Sequence, residues 1–366
     1  MGSNYIYQFT ALRGLQAGRS FFTIMCPLKL VPRIFIFDEE ELDPSLRAQR
    51  TINRTRVPEI ARYIVNNPEE YVFSSITASI NSSVEFEPLV EGNREIGTLK
   101  IPMTATFVVN DGQHRRAAIE EALKQRPELG DETISIVLFI DAGLVRSQQM
   151  FADLNKHAVR PTASLGVLYD HRDACAELAR NLAEENPTFQ KLTEMEKSSI
   201  SNRSKRLFTL SSIYQATKKL LHLGTKDEPT PKQASLAHEY WKAVGENIAD
   251  WRAARQGEVR SSELRSDCVH AHGVALQALA NLGAALLEKR PNTWKKDLKA
   301  LGKVDWSRKN PTWEGRALVA GRINKTQNHV TLTSNYLKHV LGLPLTEAES
   351  KLEKAFSRGR RQLQTV

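Results

Sequence analysis

The sequence predicts an α+β protein: a mixed domain over residues 1–162, then a mainly α-helical, basic region over residues 163–366. Three features carry that expectation. Short runs of β-branched and aromatic residues, bounded by Gly and Pro, fill the first part of the chain. Beyond Ala163 nothing reads strongly as strand, and long stretches place apolar residues at helical spacing. Before that change stands residues 104–124, TATFVVNDGQHRRAAIEEALK, which begins as a strand, breaks on turn residues and continues as a helix.

Taken in order, residues 5–40 read as strands, with 21–26 and 34–37 apolar, and residues 38–43 as a solvated acidic loop. Arg47, Arg50, Arg54 and Arg56 precede a short helix at 58–67, where Pro58 suits the first turn and Ile60 and Ile64 form an i, i+4 pair. Strands follow at 71–80 and 84–86, with Asn81-Ser82-Ser83 as the turn, and 97–101 leads to the central strand. There Thr104, Thr106, Val108 and Val109 are β-branched and Asn110-Asp111-Gly112 supplies the turn. In the helix after it, Ala118, Ala122 and Leu123 share a face and Glu120 is placed to pair with Lys124. A buried strand at 134–140 and a helix at 144–158, closed by Arg160-Pro161, complete the mixed domain. Helical stretches are expected at 165–185, 209–223, 232–255 and 261–290, the last with a stripe of Leu276, Leu279, Leu282 and Leu286.

With 366 residues, 41% hydrophobic and 25% charged, the chain can bury a full core. No apolar run approaches the ~20 residues of a membrane span and no secretory signal is visible, which points to a cytoplasmic protein with no membrane partner. The three cysteines, Cys26, Cys175 and Cys268, are too few and scattered for a disulfide framework or a zinc ribbon. Cys268, His270 and His272 alternate, but on a helix only Cys268 and His272 share a face, so no metal site is expected. Net charge +9 favours a polyanionic partner.

The strand–turn–helix can aim unsatisfied helix N–H groups at an anion. Gly112 permits close approach and Arg115 supplies a planar fork suited to phosphate oxygens. Two readings stay open: a phosphate cradle for a nucleotide or nucleic-acid backbone, and a strand–helix corner in which Asp111 caps the helix and Arg115 is a surface charge. In the helix at 144–158, Phe151, Leu154 and Ala158 share a face that suits the core, which leaves Asp153 and Asn155 to face the cradle or solvent. Three basic stretches are candidates for DNA. Arg203, Lys205 and Arg206 lie in a Ser-rich turn before the helix at 209. Lys295, Lys296, Arg308 and Lys309 belong to residues 288–325, which hold eleven Lys/Arg against four Asp/Glu. Trp294, Trp306 and Trp313 are interleaved there, to pack the loops or to stack on bases, with packing favoured. Arg358-Gly359-Arg360-Arg361 is a short basic tail.

Asp111-Gly112-Gln113-His114-Arg115 spells the signature of the DGQHR-domain proteins, which are similar to the ParB N-terminal domain and to sulfiredoxin. Within that group the chain resembles the DndB family, encoded with DNA phosphorothioation systems. The resemblance implies a ParB/sulfiredoxin-like first domain, with phosphate or nucleotide contacts from Asp111, Gly112, Gln113, His114 and Arg115. It adds Asn53, Arg54 and Arg56, before the first helix, and Asp153 and Asn155, in the family's third box. It implies a transcriptional regulator that binds double-stranded DNA upstream of its own operon. An enzyme stays open beside it, a nucleotidase or a DNA-backbone nicking enzyme. There Asp111 would hold the magnesium of ATP or another nucleotide, His114 would act as acid or base, and Arg115 would stabilise phosphoryl charge. Sulfiredoxin carries its catalytic Cys where this chain has Gln113, so sulfinic-acid reduction is not expected. ParB-like proteins carry Glu-Arg-Arg at Gln113-His114-Arg115, so their nucleotide preference does not transfer. On the resemblance, Cys26 is either a packing residue or a thiol contact for other phosphorothioation proteins, including the cysteine desulfurase. A symmetric operator would imply a homo-oligomer.

Overall fold

Strands β1 (Ile6–Gln16) and β2 (Arg19–Pro27) form a hairpin in the computed structural model, which describes residues 5–35, 56–141, 146–156, 161–225 and 227–364. Ala17 and Gly18 turn the hairpin at φ 49° and 73°, the paired positive φ of a two-residue loop that matches strand twist. The chain separates into two units, residues 1–159 and 160–366.

In the first unit β5 (Asn93–Pro102) pairs with the free side of β1, and β4 (Glu85–Val90) closes that edge. On the other side β7 (Thr133–Ile140) runs antiparallel to β2, β3 (Ile76–Ile80) parallel to β7, and β6 (Phe107–Asp111) antiparallel to β3. The sheet order is β4-β5-β1-β2-β7-β3-β6. Burial alternates along β7, as expected of a strand with unequal faces. Helices α1 (Val31–Ile34), α2 (Val57–Asn66), α3 (Gln113–Gln125) and α4 (Ser147–Lys156) complete the unit. Ile64 of α2 and Ala118, Ile119 and Ala122 of α3 join Ile24, Ile76, Leu99 and Leu138 of the sheet in one core. Mixed α and β around a large sheet is therefore the architecture here.

Two local expectations change. The strand expected at 34–37 is not one where it is described: Ile34 belongs to α1 and Phe35 is fully buried behind it. Arg116 of α3 decides this, donating through Nε to the Phe35 carbonyl at 2.9 Å and through Nη2 to that of Pro32 at 3.0 Å. The strand expected at 71–80 narrows to β3.

In the second unit the expected long helices break at polar or constrained points. The stretch 165–185 is α5 (Ala163–Tyr169) and α6 (Ala174–Glu185). Asp173 starts α6, its carboxylate accepting from the N–H groups of Cys175 and Ala176 at 2.7 and 3.1 Å. After β8 (Thr193–Glu194) and β9 (Phe208–Thr209) comes α7 (Leu210–Leu220). The stretch 232–255 divides at Ile248 into α8 (Pro231–Asn247) and α9 (Ala249–Gln256). The stretch 261–290 divides into α10 (Ser261–Asp267) and α11 (Gly273–Lys289). Leu276, Leu279, Leu282 and Leu286 of α11 are fully buried, and α11 packs against α7 and α13 (Gln327–Val340). A short α12 (Trp294–Asp297), a two-residue pair β10 (Leu318–Val319) and β11 (Arg322–Ile323), and α14 (Glu347–Gln364) complete it. Trp294, Trp306 and Trp313 are buried, the last two stacked with ring centroids 5.2 Å apart. They pack the core and present no face to a base. Among the described residues no helix is long and apolar enough to cross a membrane.

Candidate functional site

The DGQHR motif lies where β6 passes into α3. Gly112 forms the joint at φ 106°, in the left-handed region. A Cβ there would stand 3.0 Å from Ile76 Cγ1 and 3.1 Å from Arg115 Nη2, so conformation and space both demand glycine. No side chain caps α3. Asp111, expected in one reading to cap it, turns instead to Arg115, whose Nη2 donates to Oδ2 at 2.7 Å. The same Nη2 donates to the Ser75 carbonyl at 3.0 Å, while Arg115 Nε is buried without a partner among the described residues. Gln113 faces inward: its buried amide donates to the carbonyls of Val109 at 3.1 Å and Asn110 at 3.3 Å. That side chain serves the strand end and is not presented to a ligand.

His114 is half-buried, and Arg56, the residue before α2, acts on it. Burial first, then the charges of Arg56 and Arg115, hold its imidazole below the usual histidine range, so it stands neutral at pH 7. Arg56 thus belongs with the motif. Asn53 and Arg54 lie outside the described residues.

Beneath the motif runs a buried polar chain that sequence reasoning missed. Asn110 Nδ2 donates to Ser79 Oγ at 2.6 Å, and Ser147 Oγ donates to Asn110 Oδ1 at 2.5 Å. It joins β3, β6 and the start of α4, and Asp141 Oδ2 adds a bond from the Arg146 N–H at 3.0 Å. Its one sequence signal is Asn110 itself, an amide closing an apolar strand. Further along α4, Asp153 is exposed and accepts from Gln149 Nε2 at 2.7 Å, a pairing along its own helix. The side chain of Asn155 lies outside the described residues. The structure therefore gathers Arg56, Asp111, Gly112, His114 and Arg115, and leaves Gln113 and Asp153 occupied elsewhere. An uncapped helix start next to a guanidinium suits an anion, but Asp111 already neutralises that guanidinium.

A second candidate lies in the 160–366 unit. Arg265 of α10 clamps the loop that carries Arg203, Lys205 and Arg206. Its Nη2 donates to the carbonyls of Ser201 at 2.9 Å, Asn202 at 3.3 Å and Ser204 at 3.1 Å, and its Nη1 to that of Arg206. Two residues on, the same stretch anchors the other basic segment: the Arg308 N–H donates to the Asp267 carbonyl at 2.7 Å, and Cys268 bridges Ser307. The Arg308 guanidinium bonds the carbonyls of Ser266 at 3.0 Å and Gly321 at 2.6 Å. Basic segments about a hundred residues apart are thus fastened to one short helix. Arg203, Lys205, Arg206 and Lys309 are exposed at their surface. Lys295 is not part of this group; it pairs with Glu239 at 2.6 Å, and Lys296 follows it on α12.

A family model described as DndB, DNA-sulfur modification-associated, matches residues 9–344. The chain belongs to the DndB family. No curated protein and no solved structure matches it. Membership associates this DndB chain with DNA phosphorothioation systems.

Two further sulfur positions of the DndB chain are settled by geometry. Cys26 is fully buried in β2, and burial pushes its thiol up to about 12. It is a packing residue, and the expected thiol contact with a sulfur-transfer partner has no exposed sulfur to use. Asp250, Cys268 and His270 bring ligand-type atoms within 4.8 Å of one another. The hydrogen bonds there are against a metal. The Trp251 indole, a donor only, points Nε1–H at His270 Nδ1 at 3.0 Å, so that nitrogen is an acceptor. His270 Nε2–H then donates to Asp250 Oδ2 at 2.8 Å. A metal on Nε2 would need Nδ1 to carry a proton, which would face the indole N–H.

Proposed function

We propose that this chain is a cytoplasmic DNA-binding regulator of a phosphorothioate-modification operon that grips duplex DNA through Arg203, Lys205, Arg206, Arg308 and Lys309. One observation carries the reading. Among the described residues the guanidiniums of Arg265 and Arg308, which hold the two basic segments together, are bound by carbonyl oxygens and not by carboxylates, so their charge is not cancelled there. Exposed Lys and Arg around such a centre give the counterion-releasing surface that backbone binding requires. Membership in a family associated with DNA-sulfur modification supports the same partner. The DGQHR motif, with its uncapped helix start, is the second phosphate contact in this reading, in the manner of the ParB/sulfiredoxin-like domains.

The test is titration of the purified chain with duplex from upstream of its own operon against a random duplex of equal length, over a salt series, with and without ATP and magnesium. Engagement of five phosphates, one for each of these side chains, predicts affinity falling with a log–log slope of about −4.5, and a preference for the upstream duplex. Equal, weak binding to both duplexes would remove the regulator. Consumption of ATP or nicking of the duplex would instead make the motif catalytic.

A further inference from the structure

Between the two basic segments the 160–366 unit contains a pocket of about 580 Å³. Its wall includes Arg265, Arg308 and Lys325 together with Ser198, Ser211 and Ser212, and no Asp or Glu among the described residues. None of the three cations has a carboxylate within ion-pair distance among the described residues. Arg265 and Arg308 are tied to backbone carbonyls and Lys325 is exposed. A cavity with three uncancelled positive charges and no acid in its wall is an anion site by charge balance.

Two details say where in the pocket the anion sits. Helix α11, the 17-residue axis of the unit, opens onto it through Gly273 and Val274, and His272 before them provides no side-chain cap. Their N–H groups are first-turn donors that the helix cannot use itself. At Gly273 a Cβ would lie 3.1 Å from Ser212 Oγ, so a side chain there would crowd the Ser212 hydroxyl at the helix start. His272 lines the same pocket. Its Nε2–H donates to the Arg265 carbonyl at 2.8 Å, and burial, aided by the charges of Arg308 and Arg265, pushes its imidazole down to about 4. It stands neutral beside the cations and adds no charge of its own to the pocket.

We infer that this pocket is a binding site for a small phosphate ester of nucleoside-monophosphate size, with the phosphate at Gly273 and Val274 and Arg308 and Lys325 around it. The volume lies within the range of small-molecule sites. A recess of this kind suits a compact ligand, whereas duplex DNA lies across exposed rims such as Arg203 and Lys309. The inference does not rest on duplex binding: its ligand is a soluble phosphorylated molecule, and Arg308 alone is shared with the duplex contacts proposed above.

The experiment is an amide NMR titration of the full chain with AMP, inorganic phosphate, adenosine and a short random duplex. AMP and inorganic phosphate are expected to move the Gly273 and Val274 resonances while adenosine leaves them in place. Lys325→Gln, a change at an exposed side chain, should weaken AMP binding about three- to tenfold, the effect of one partly screened charge. Gly273→Ala, which favours the helix but occupies the space before Ser212, should weaken it at least as much. Shifts confined to Gly112–Arg115, an equal response to adenosine, unchanged affinity in both variants, or movement of Gly273 with the duplex but not with AMP would each overturn the site.

Discussion

The DGQHR motif and the basic face of the helical unit use the same residue type in opposite ways. At the motif, Arg115 is bonded to Asp111 and Arg116 to Glu120, so each guanidinium meets a carboxylate four residues away on its own helix or just before it. On the basic face, among the described residues, the guanidiniums of Arg265 and Arg308 are bonded through backbone carbonyl oxygens alone, those of the 201–206 loop for Arg265 and of Ser266 and Gly321 for Arg308. Both arrangements fix a side chain. A carboxylate also cancels its field, whereas a carbonyl dipole leaves most of it in place. Bonded arginines are therefore not equivalent: the partner decides whether the charge is structural or available to a polyanion.

That distinction can be broken at several points. The largest effect is expected at a fully closed pair, Lys338 and Glu349, bonded at 2.5 Å with side chains 5% and 16% exposed. Glu349→Gln leaves a buried lysine without its counter-charge and should cost about 3 kcal/mol in chemical denaturation. Next, Gly112→Ala forces a side chain into the left-handed region and against Arg115, and should lower stability by about 2 kcal/mol. An unchanged denaturation midpoint would show that the joint is not as tight as the structure describes.

The closed pairs also set a pH dependence. Burial works against ionisation of Glu349 and Glu353, but the bonds from Lys338 and Arg316 win, and both carboxyls are held below the usual range. Their contribution is complete above the unfolded value near 4.5 and is lost as pH falls through the lower folded values. Melting temperature should thus drop on acidification below about pH 4.5, and less steeply in Glu349→Gln. The smallest effect is the most specific. Asp111→Asn releases the Arg115 charge, and phosphate affinity at the motif should rise about threefold, while stability changes by less than about 1 kcal/mol. A fall in affinity would mean that Asp111 contributes to the ligand, as a metal-bearing nucleotide would require.

How much of this could be read from the sequence follows the same physics. β7, α2, the buried stripe of α11 and the Gly112 joint were legible because local periodicity and φ preference determine them. Helix breaks at 170–173 and at Ile248 were not, since an amphipathic stripe can continue across a short break, of four residues in the first case and one in the second. Phe35 was misread as strand because its fate is set by Arg116, far along the chain. The motif was legible as a string, yet Gln113 and Asp111 are turned to internal partners that a string does not reveal. The basic face was legible only as separate charge runs: nothing local says that Arg203 and Arg308 share an anchor in α10, or that Lys295 is paired off with Glu239. Asn110 and its buried hydroxyl partners were missed for the same reason.

The most direct measurement is the affinity of an upstream duplex, at fixed salt, for three forms of the chain: unchanged, Asp111→Asn, and the combined Arg203→Gln, Lys205→Gln, Lys309→Gln. The account predicts that the triple change weakens binding by about two orders of magnitude and flattens the salt slope by about 3, whereas Asp111→Asn does not weaken it. Full retention of duplex binding by the triple variant would contradict the claim that the uncancelled charges of the helical unit carry the interaction.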